Sequence, residues 1–211
     1  MQLNPAAFNR LIAAEGQQFE WRRGHACPCV NPATGSPSPR CQTCFGFGRF
    51  WDPPVLGVAG VGSRDVMAPF AQFGNWDSGD IILSVGSDSP IYEVGMMDRV
   101  AAINRTEPFS VNVIPGANSL SRYRLQSIES AYWAMPAGVV SPLAPLPTVD
   151  ATGAVVYDPA ATPPAGSTVS LTGRRYPEFF VYLDIPLDRP HQSGADLPRR
   201  VLLRRFDLFG R

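Results

Sequence analysis

The fold class is decided by a series of short apolar segments that begins with Asp80-Ile81-Ile82-Leu83-Ser84-Val85. These segments are rich in β-branched or aromatic residues, and Gly, Pro, Asn or Ser mostly separates them, which is the pattern of short strands joined by turns. The others in this part of the chain are Ile91 to Val94, Arg99 to Asn104, Phe109 to Ile114, Ser121 to Ser127 and Ala131 to Ala134. The sequence therefore predicts a mostly β protein, built as an antiparallel β-barrel or sandwich.

The strand pattern returns near the carboxyl end, at Thr168 to Leu171 and at Phe179 to Leu183. We expect Val201 to Phe206 to be the final strand of the same barrel. The last residues, Asp207 to Arg211, are apolar and cationic, so a second interpretation stays open for them. They would dock on a neighbouring subunit by strand addition or by arginine pairing.

Residues 140–165 are rich in proline and show little periodicity, which predicts an excursion outside the core. Within it, Asp150 to Gly153 has the composition of a turn, and Ala154 to Tyr157 that of a short strand. Two interpretations remain open, namely the tip of a projecting hairpin and a flexible surface loop.

A short helix is predicted at the amino end. Asn4 is a favoured helix cap, Pro5 suits the first helical position and Gly16 can end the helix. The predicted layout is a helix and lead-in over residues 1–24, a cysteine knuckle over residues 25–51, and a β-barrel or sandwich over residues 52–211 that includes the proline-rich excursion.

All four cysteines of the chain fall in the knuckle, as Cys27, Cys29, Cys41 and Cys44. Two short cysteine pairs joined by a loop are typical of a tetrahedral structural zinc site, because thiolates are soft ligands. The sequence therefore predicts one structural zinc ion. Two disulfides and a redox role for the CxxC pair are the alternatives, and we expect His25 to be free or to lie outside the ligand set.

The second cysteine pair continues into Gly46 and Gly48, so the segment reads CxxCxGxG. Glycine lets the backbone fold back toward a metal, so that amide N–H groups point at the thiolates. The segment resembles one repeat of the zinc module of J-domain co-chaperones, which carries four such repeats. Only the local knuckle geometry is implied by this resemblance.

Composition and charge exclude several classes of protein. The 211 residues are 45% apolar and carry 18 basic and 18 acidic groups, and a balanced charge argues against a general nucleic-acid or membrane-surface binder. All the basic residues are arginine, whose planar guanidinium suits bidentate pairing across interfaces. The sequence has no apolar run long enough to span a membrane and no signal-peptide pattern at its start, so we expect synthesis in the cytoplasm.

The sequence predicts a protein that is not an enzyme. It contains no P-loop, GxSxG, HExxH or dinucleotide-binding motif. His191 lies in a predicted loop. The carboxylates near predicted strand ends are expected to shape turns, although a hydrolase pair among them is a less favoured alternative; they are Asp77, Asp80, Asp88 and Asp98.

Several stretches together resemble small structural proteins encoded among the head and tail genes of tailed bacteriophages. They are the knuckle, Gly79 to Val85, Ser89 to Tyr92, Arg174 to Phe180 and Leu197 to Arg211. This resemblance implies a neck, or head-to-tail connecting, protein of the virion. Its β-barrel subunits would form a homo-oligomeric ring beneath the portal and meet tail or other neck proteins.

The same resemblance implies that packaged DNA passes through the channel of the ring. Arginine-rich strand faces, the excursion and the carboxyl terminus would contact neighbouring subunits. Two other functions remain as alternatives: a soluble zinc-binding chaperone or adaptor, and a cell-wall-directed hydrolase.

Overall fold

The computed structural model describes residues 4–62, 79–116, 120, 123–134, 138, 140–150, 153–164, 166–185, 191–192 and 194–209. Its contacts divide the chain into two compact units. Unit 1 combines Met1–Asn104 with Glu178–Arg211, and unit 2 is Arg105–Pro177. Unit 2 is therefore inserted between two parts of unit 1, a division that the sequence did not indicate.

The described residues form a mostly β structure, as the sequence predicts. In chain order the elements are α1 (Pro5–Glu15), β1 (Gln17–Arg22), β2 (Gly24–Ala26), β3 (Arg49–Trp51), β4 (Val55–Val61), β5 (Ile81–Val85), β6 (Arg99–Ala102), β7 (Glu107–Val113), β8 (Arg124–Ala134), β9 (Val140–Pro142), β10 (Thr148–Val149), β11 (Val155–Val156), β12 (Val169–Tyr176), β13 (Glu178–Ile185), β14 (His191–Gln192), β15 (Ala195–Asp196), β16 (Arg199–Arg205) and a 3-10 turn (Phe206–Leu208).

Unit 1 is a closed antiparallel barrel with the strand order β1-β4-β5-β16-β13-β6. Its interior is filled by large apolar side chains, among which Phe19, Phe179 and Leu203 are almost completely buried. Such close packing makes a core rigid. The predicted final strand is confirmed from Val201 to Arg205, which belong to β16 between β5 and β13, whereas Phe206 begins the 3-10 turn.

The predicted amino-terminal helix is confirmed. The Asn4 side chain accepts a hydrogen bond from the Ala7 amide at 3.2 Å, and Pro5 occupies the first turn. The Gly16 amide donates to the Ile12 carbonyl at the other end. Ile12 is the buried residue of this helix, whereas Leu11 is 58% exposed.

Unit 2 is a four-stranded antiparallel sheet with the order β7-β12-β8-β9. Its core includes Phe109, Leu125 and Leu171. The predicted strands Ser121 to Ser127 and Ala131 to Ala134 are wrong as separate elements, because β8 runs without a break from Arg124 to Ala134. Ser121 and Arg122 lie outside the described residues. The register of pairing between β8 and β12 shifts at Gly173 of β12. An added Cβ at Gly173 would lie 2.1 Å from the Ser127 carbonyl oxygen.

The predicted strand Ile91 to Val94 is also wrong, because this segment forms successive turns. The Tyr92 amide donates to the Ser89 carbonyl, and the Val94 amide donates to the Ile91 carbonyl. Ile91 and Val94 are nevertheless buried in the barrel core. Their apolar character reflects this burial, which a turn can supply as well as a strand.

The proline-rich segment 140–165 is only partly an excursion, which corrects the sequence prediction. Leu143 is 5% exposed and belongs to the core of unit 2, against which Val149, Val155 and Tyr157 pack. A hairpin does form from β10 and β11, and the Asp150 carboxylate accepts from the Ala154 amide in its turn. The hairpin packs on the core of unit 2 instead of projecting.

Among the described residues, no helix has the length and apolar character that crossing a membrane requires.

Candidate metal centre

The knuckle, residues 25–51, is built as the long loop of a small hairpin. Strands β2 and β3 pair His25 with Phe50 and Ala26 with Arg49. The Cys27 amide then donates to the Gly48 carbonyl at 2.9 Å, which closes the hairpin just before the loop begins. The loop therefore starts and ends at a fixed point, and all four cysteines lie inside it.

The four cysteines meet at one point, as the sequence predicts. Their sulfur atoms all lie within 4.8 Å of one another. The Cys27 and Cys41 sulfurs are 3.7 Å apart, and the Cys29 and Cys44 sulfurs are 3.4 Å apart. A tetrahedral zinc ion with Zn–S bonds of about 2.3 Å requires S–S separations of about 3.8 Å, so the set can hold a metal ion.

No disulfide joins these cysteines. All four are free thiols, and the separations above exceed the S–S bond length of about 2.0 Å. Both of these contacts join a cysteine of the CxC to one of the CxxC, so each half of the motif contributes to both contacts. This crossed arrangement is that of one four-ligand site.

Backbone amides make the sulfurs chemically unequal. The Cys44 amide, followed by that of Thr43, donates to the Cys41 sulfur and lowers the pKa of Cys41 to about 6. Burial raises the pKa of Cys29 to about 12, although the Ser38 amide opposes this shift. The Cys41 sulfur is therefore the one that these amides stabilise as a thiolate.

The pKa of Cys27 is shifted by opposing effects. The Cys29 amide has the largest effect on the pKa of Cys27 and lowers it, but burial and the thiols of Cys41 and Cys44 bring that pKa above its ordinary value. Four thiolates cannot share so small a volume without a cation to balance their charge. The donor set therefore fits a divalent metal with a preference for sulfur.

The CxxCxGxG segment wraps the site by means of left-handed backbone conformations. Phe45, Gly46 and Gly48 have φ values of 51°, 83° and 72°. The Phe45 amide donates to the Cys41 carbonyl at 2.8 Å, and the Phe47 amide donates to the Cys44 carbonyl at 2.9 Å. Glycine adopts such conformations without steric cost, and Phe45 is a non-glycine residue that adopts one here.

The loop between the cysteine pairs, Val30 to Arg40, is folded by its own backbone hydrogen bonds. The Asn31 amide donates to the Ser36 carbonyl, and the Gly35 amide donates to the Asn31 carbonyl at 2.7 Å. Almost all of this loop is exposed. It therefore presents surface and contributes little to any core.

An aromatic cluster fixes the base of the knuckle to the barrel. Phe47 contacts Trp51, Phe206 and Phe209, with ring centroids 5.6–6.1 Å apart. The guanidinium of Arg99 lies 4.1 Å from the Phe206 ring centroid. Cation–π and aromatic contacts of this kind hold the knuckle in a fixed position on unit 1.

The same cluster bears on the predicted role of Asp207 to Arg211. The Phe209 ring lies 5.0 Å from that of Phe180 and 5.4 Å from that of Phe206. Phe209 therefore packs within its own chain. The sequence had left open that this residue docks on a neighbouring subunit. Gly210 and Arg211 lie outside the described residues.

His25 does not join the metal site. Its Nε2 atom lies 2.9 Å from the Asp52 carboxylate, and its ring stacks on Phe50. Asp80 pairs with Arg204 at 3.0 Å, while Asp98 accepts hydrogen bonds from the Trp21 indole and the Gly24 amide. These two carboxylates thus hold parts of unit 1 together by an ion pair and by hydrogen bonds.

The other residues that the sequence singled out fall elsewhere. Asp88 is exposed. The prediction that His191 lies in a loop is wrong, because His191 belongs to the short strand β14. Asp77 lies outside the described residues.

Several arginines pair with carboxylates of the same chain. Arg99 and Glu178 form a bidentate salt bridge, with N–O distances of 2.9 and 2.7 Å. The other close pairs are Arg22 with Glu20, Arg175 with Glu107, Arg199 with Asp184 and Arg204 with Asp80.

One exposed residue of the knuckle was missed by sequence reasoning. Phe45 is 55% exposed, although it directly follows a metal-site cysteine. The exposure of Phe45 could have been predicted from its position between Cys44 and Gly46, because a side chain there has no core to enter.

No protein-family model matches the sequence, and comparison with curated proteins gives no match. The function is therefore argued from the knuckle and the barrel themselves.

Proposed function

We propose that this protein is a structural component of a tailed-phage virion, which forms a ring in the neck between head and tail. Its knuckle binds one zinc ion and contacts neighbouring subunits. The observation that carries the proposal is the gathering of four cysteine sulfurs within 4.8 Å on an exposed loop.

The barrel supports this proposal as a rigid body. Phe19, Phe179 and Leu203 fill its interior, so the strands enclose side chains. A subunit of a ring must hold its contact surfaces in a constant geometry. A closed and filled barrel meets that requirement.

The knuckle supports it as a contact surface. Residues 31–36 are exposed and supply little apolar burial, so the loop depends on its metal site for order. Four thiolates favour zinc among common metals, because zinc accepts tetrahedral sulfur coordination. A metal that orders an exposed loop without adding to the core stabilises a surface, and exposed ordered loops commonly carry binding functions.

The test combines metal analysis with assembly. Native mass spectrometry should find one zinc ion per chain, and sedimentation should find rings or copies bound to the portal protein of the same virion. The double variant Cys41→Ser, Cys44→Ser should lose the zinc and the assembly, while Thr43→Ser, which keeps every ligand and the Thr43 amide, should retain both.

Two results would contradict the proposal. One is a zinc-loaded protein that neither self-associates nor binds the portal. The other is a cysteine variant that assembles as well as the unaltered chain.

A further inference from the structure

A preformed groove lies on unit 1 between α1, β4 and residues 86–90. It has a volume of about 390 Å³. Its walls are mainly apolar and include Ile12, Leu56, Val58 and Pro90, while Asp88 is the charged residue among those that line it. Leu56 is 62% exposed, although it is a large aliphatic side chain. The volume falls in the range of about 300–1,000 Å³ that is typical of binding pockets.

Hydrogen bonds hold the groove open. The Asn9 side chain of α1 donates to the Ser87 hydroxyl at 3.0 Å and accepts from the Ser87 amide at 3.2 Å. The Ser89 hydroxyl donates to the Val58 carbonyl at 3.3 Å. These bonds connect all three walls, so little ordering remains to be done when an occupant binds.

The knuckle carries a projection that matches this groove. Phe45 exposes 55% of its surface on a backbone that is fixed by the adjacent metal-site turn. Arg40 is also exposed, and it is the sole charged residue between Cys27 and Gly48. A rigid aromatic side chain with a cation nearby is a common anchor of protein interfaces.

We propose that Phe45 and Arg40 of one copy dock into the groove of the next copy. The Phe45 ring enters between Ile12 and Leu56, and the Arg40 guanidinium pairs with Asp88. This inference rests on the proposed ring-forming function and specifies the contact that builds the ring.

A second copy is the occupant that the charges and positions favour. The sole cation of the cysteine loop is opposite in charge to Asp88, the one anion among the described residues that line the groove, so the two surfaces are complementary. They also lie apart on one chain. The groove adjoins Gln18, whereas the knuckle follows beyond Trp21, about 10 Å further along β1.

Because the projection and the groove are different surfaces, the contact is heterologous. Such a contact joins subunits head to tail and closes into a ring when its rotation permits. A dimer that is closed by twofold symmetry would instead use one surface twice. The proposed contact thus yields the type of assembly that the neck function requires.

The groove is tested by blocking it. Ala13 lines the groove and is exposed, whereas the adjacent Ala14 is exposed outside it. With zinc-loaded protein, Ala13→Trp should weaken self-association in sedimentation velocity at least about tenfold. Ala14→Trp is the matched control and should leave it unchanged.

The projection is tested by Phe45→Asn, because asparagine tolerates the left-handed backbone at this position. This variant should also weaken self-association at least about tenfold while it keeps its zinc. A mixture of Phe45→Asn and Ala13→Trp chains should form dimers and nothing larger, since each chain retains one intact surface. Arg40→Glu and Asp88→Arg should each weaken association, and the double variant should recover most of it.

The outcomes separate this contact from the proposed function. Self-association that persists in Ala13→Trp, Phe45→Asn and Arg40→Glu would overturn the contact and leave a ring-forming protein. A second outcome is a protein that stays monomeric at all attainable concentrations but binds the portal. If Ala13→Trp abolishes portal binding and Ala14→Trp does not, the groove binds the portal, and the proposed contact between copies is overturned. A monomer that binds no portal would overturn both.

Discussion

In the barrel, Phe19 and Phe179 are almost completely buried among other apolar side chains, whereas the knuckle buries little besides Cys27 and Cys44. Each fully buried large side chain of the barrel contributes about 1.5–3 kcal/mol to stability. The knuckle lacks such burial and instead gathers four sulfur atoms around one point. The two regions are thus stabilised by different interactions, and different treatments should disrupt them.

The largest expected effect is the loss of ordered structure in the knuckle when the proposed metal is removed. With a strong chelator, or with Cys41→Ser and Cys44→Ser together, residues 25–51 should lose their protection from amide hydrogen exchange. The barrel strands should keep theirs, because their burial does not involve the cysteines. Exchange mass spectrometry measures both regions in one sample, with Thr43→Ser as the control, and a barrel that unfolds with the knuckle would contradict independence.

A cavity in the barrel should have the opposite result: it should destabilise the barrel and leave the knuckle intact. Phe179→Ala should lower the free energy of unfolding by about 3–5 kcal/mol, because the ring leaves a void in a packed core. Urea denaturation followed by circular dichroism measures this loss. Val61→Ala, at a 40% exposed strand position, should change it by about 0.5 kcal/mol or less. The metal content of folded Phe179→Ala should remain unchanged.

Metal affinity should depend steeply on pH. At pH 7 the metal-free Cys41 is a thiolate because its pKa is about 6, while Cys29, with a pKa of about 12, and Cys27, whose pKa is raised, hold their protons. A metal must displace at least those two protons, so affinity should rise at least about a hundredfold per pH unit between pH 7 and 8. Calorimetry in buffers of different ionisation enthalpy counts the protons, and release of none would contradict the assignment.

The smallest effect concerns the junction between the two regions. Asp98 accepts hydrogen bonds from the Trp21 indole at 2.7 Å and from the Gly24 amide at 2.8 Å, so it joins the barrel to the base of the knuckle. Asp98→Asn should lower the free energy of unfolding by about 1–3 kcal/mol, because an amide replaces one acceptor by a donor. Asp88→Asn, at an exposed carboxylate, is the control, and equal losses in both would argue against a special role for Asp98.

Sequence reasoning succeeded where the signal is local. The cap at Asn4, the end of the helix at Gly16 and the grouping of the cysteines all follow from spacings of a few residues. The strand content of the chain was equally accessible. It follows from residue types that suit a pleated and half-buried surface.

It failed where an apolar residue is buried without being in a strand. Ile91 and Val94 lie in turns but fill the barrel, and Leu143 of the proline-rich segment enters the core of unit 2. Composition reports burial and not backbone conformation, so these segments were assigned to the wrong class of structure.

By itself, the sequence determined the β class, the amino-terminal helix and the grouping of Cys27, Cys29, Cys41 and Cys44, because each depends on neighbours along the chain. The tertiary structure decided the barrel order, the insertion of unit 2 and pairs such as Arg99 with Glu178, which are 79 residues apart. The physical reason is that strands can pair in many orders with similar local energies. The shared burial of their side chains in one core selects among these orders.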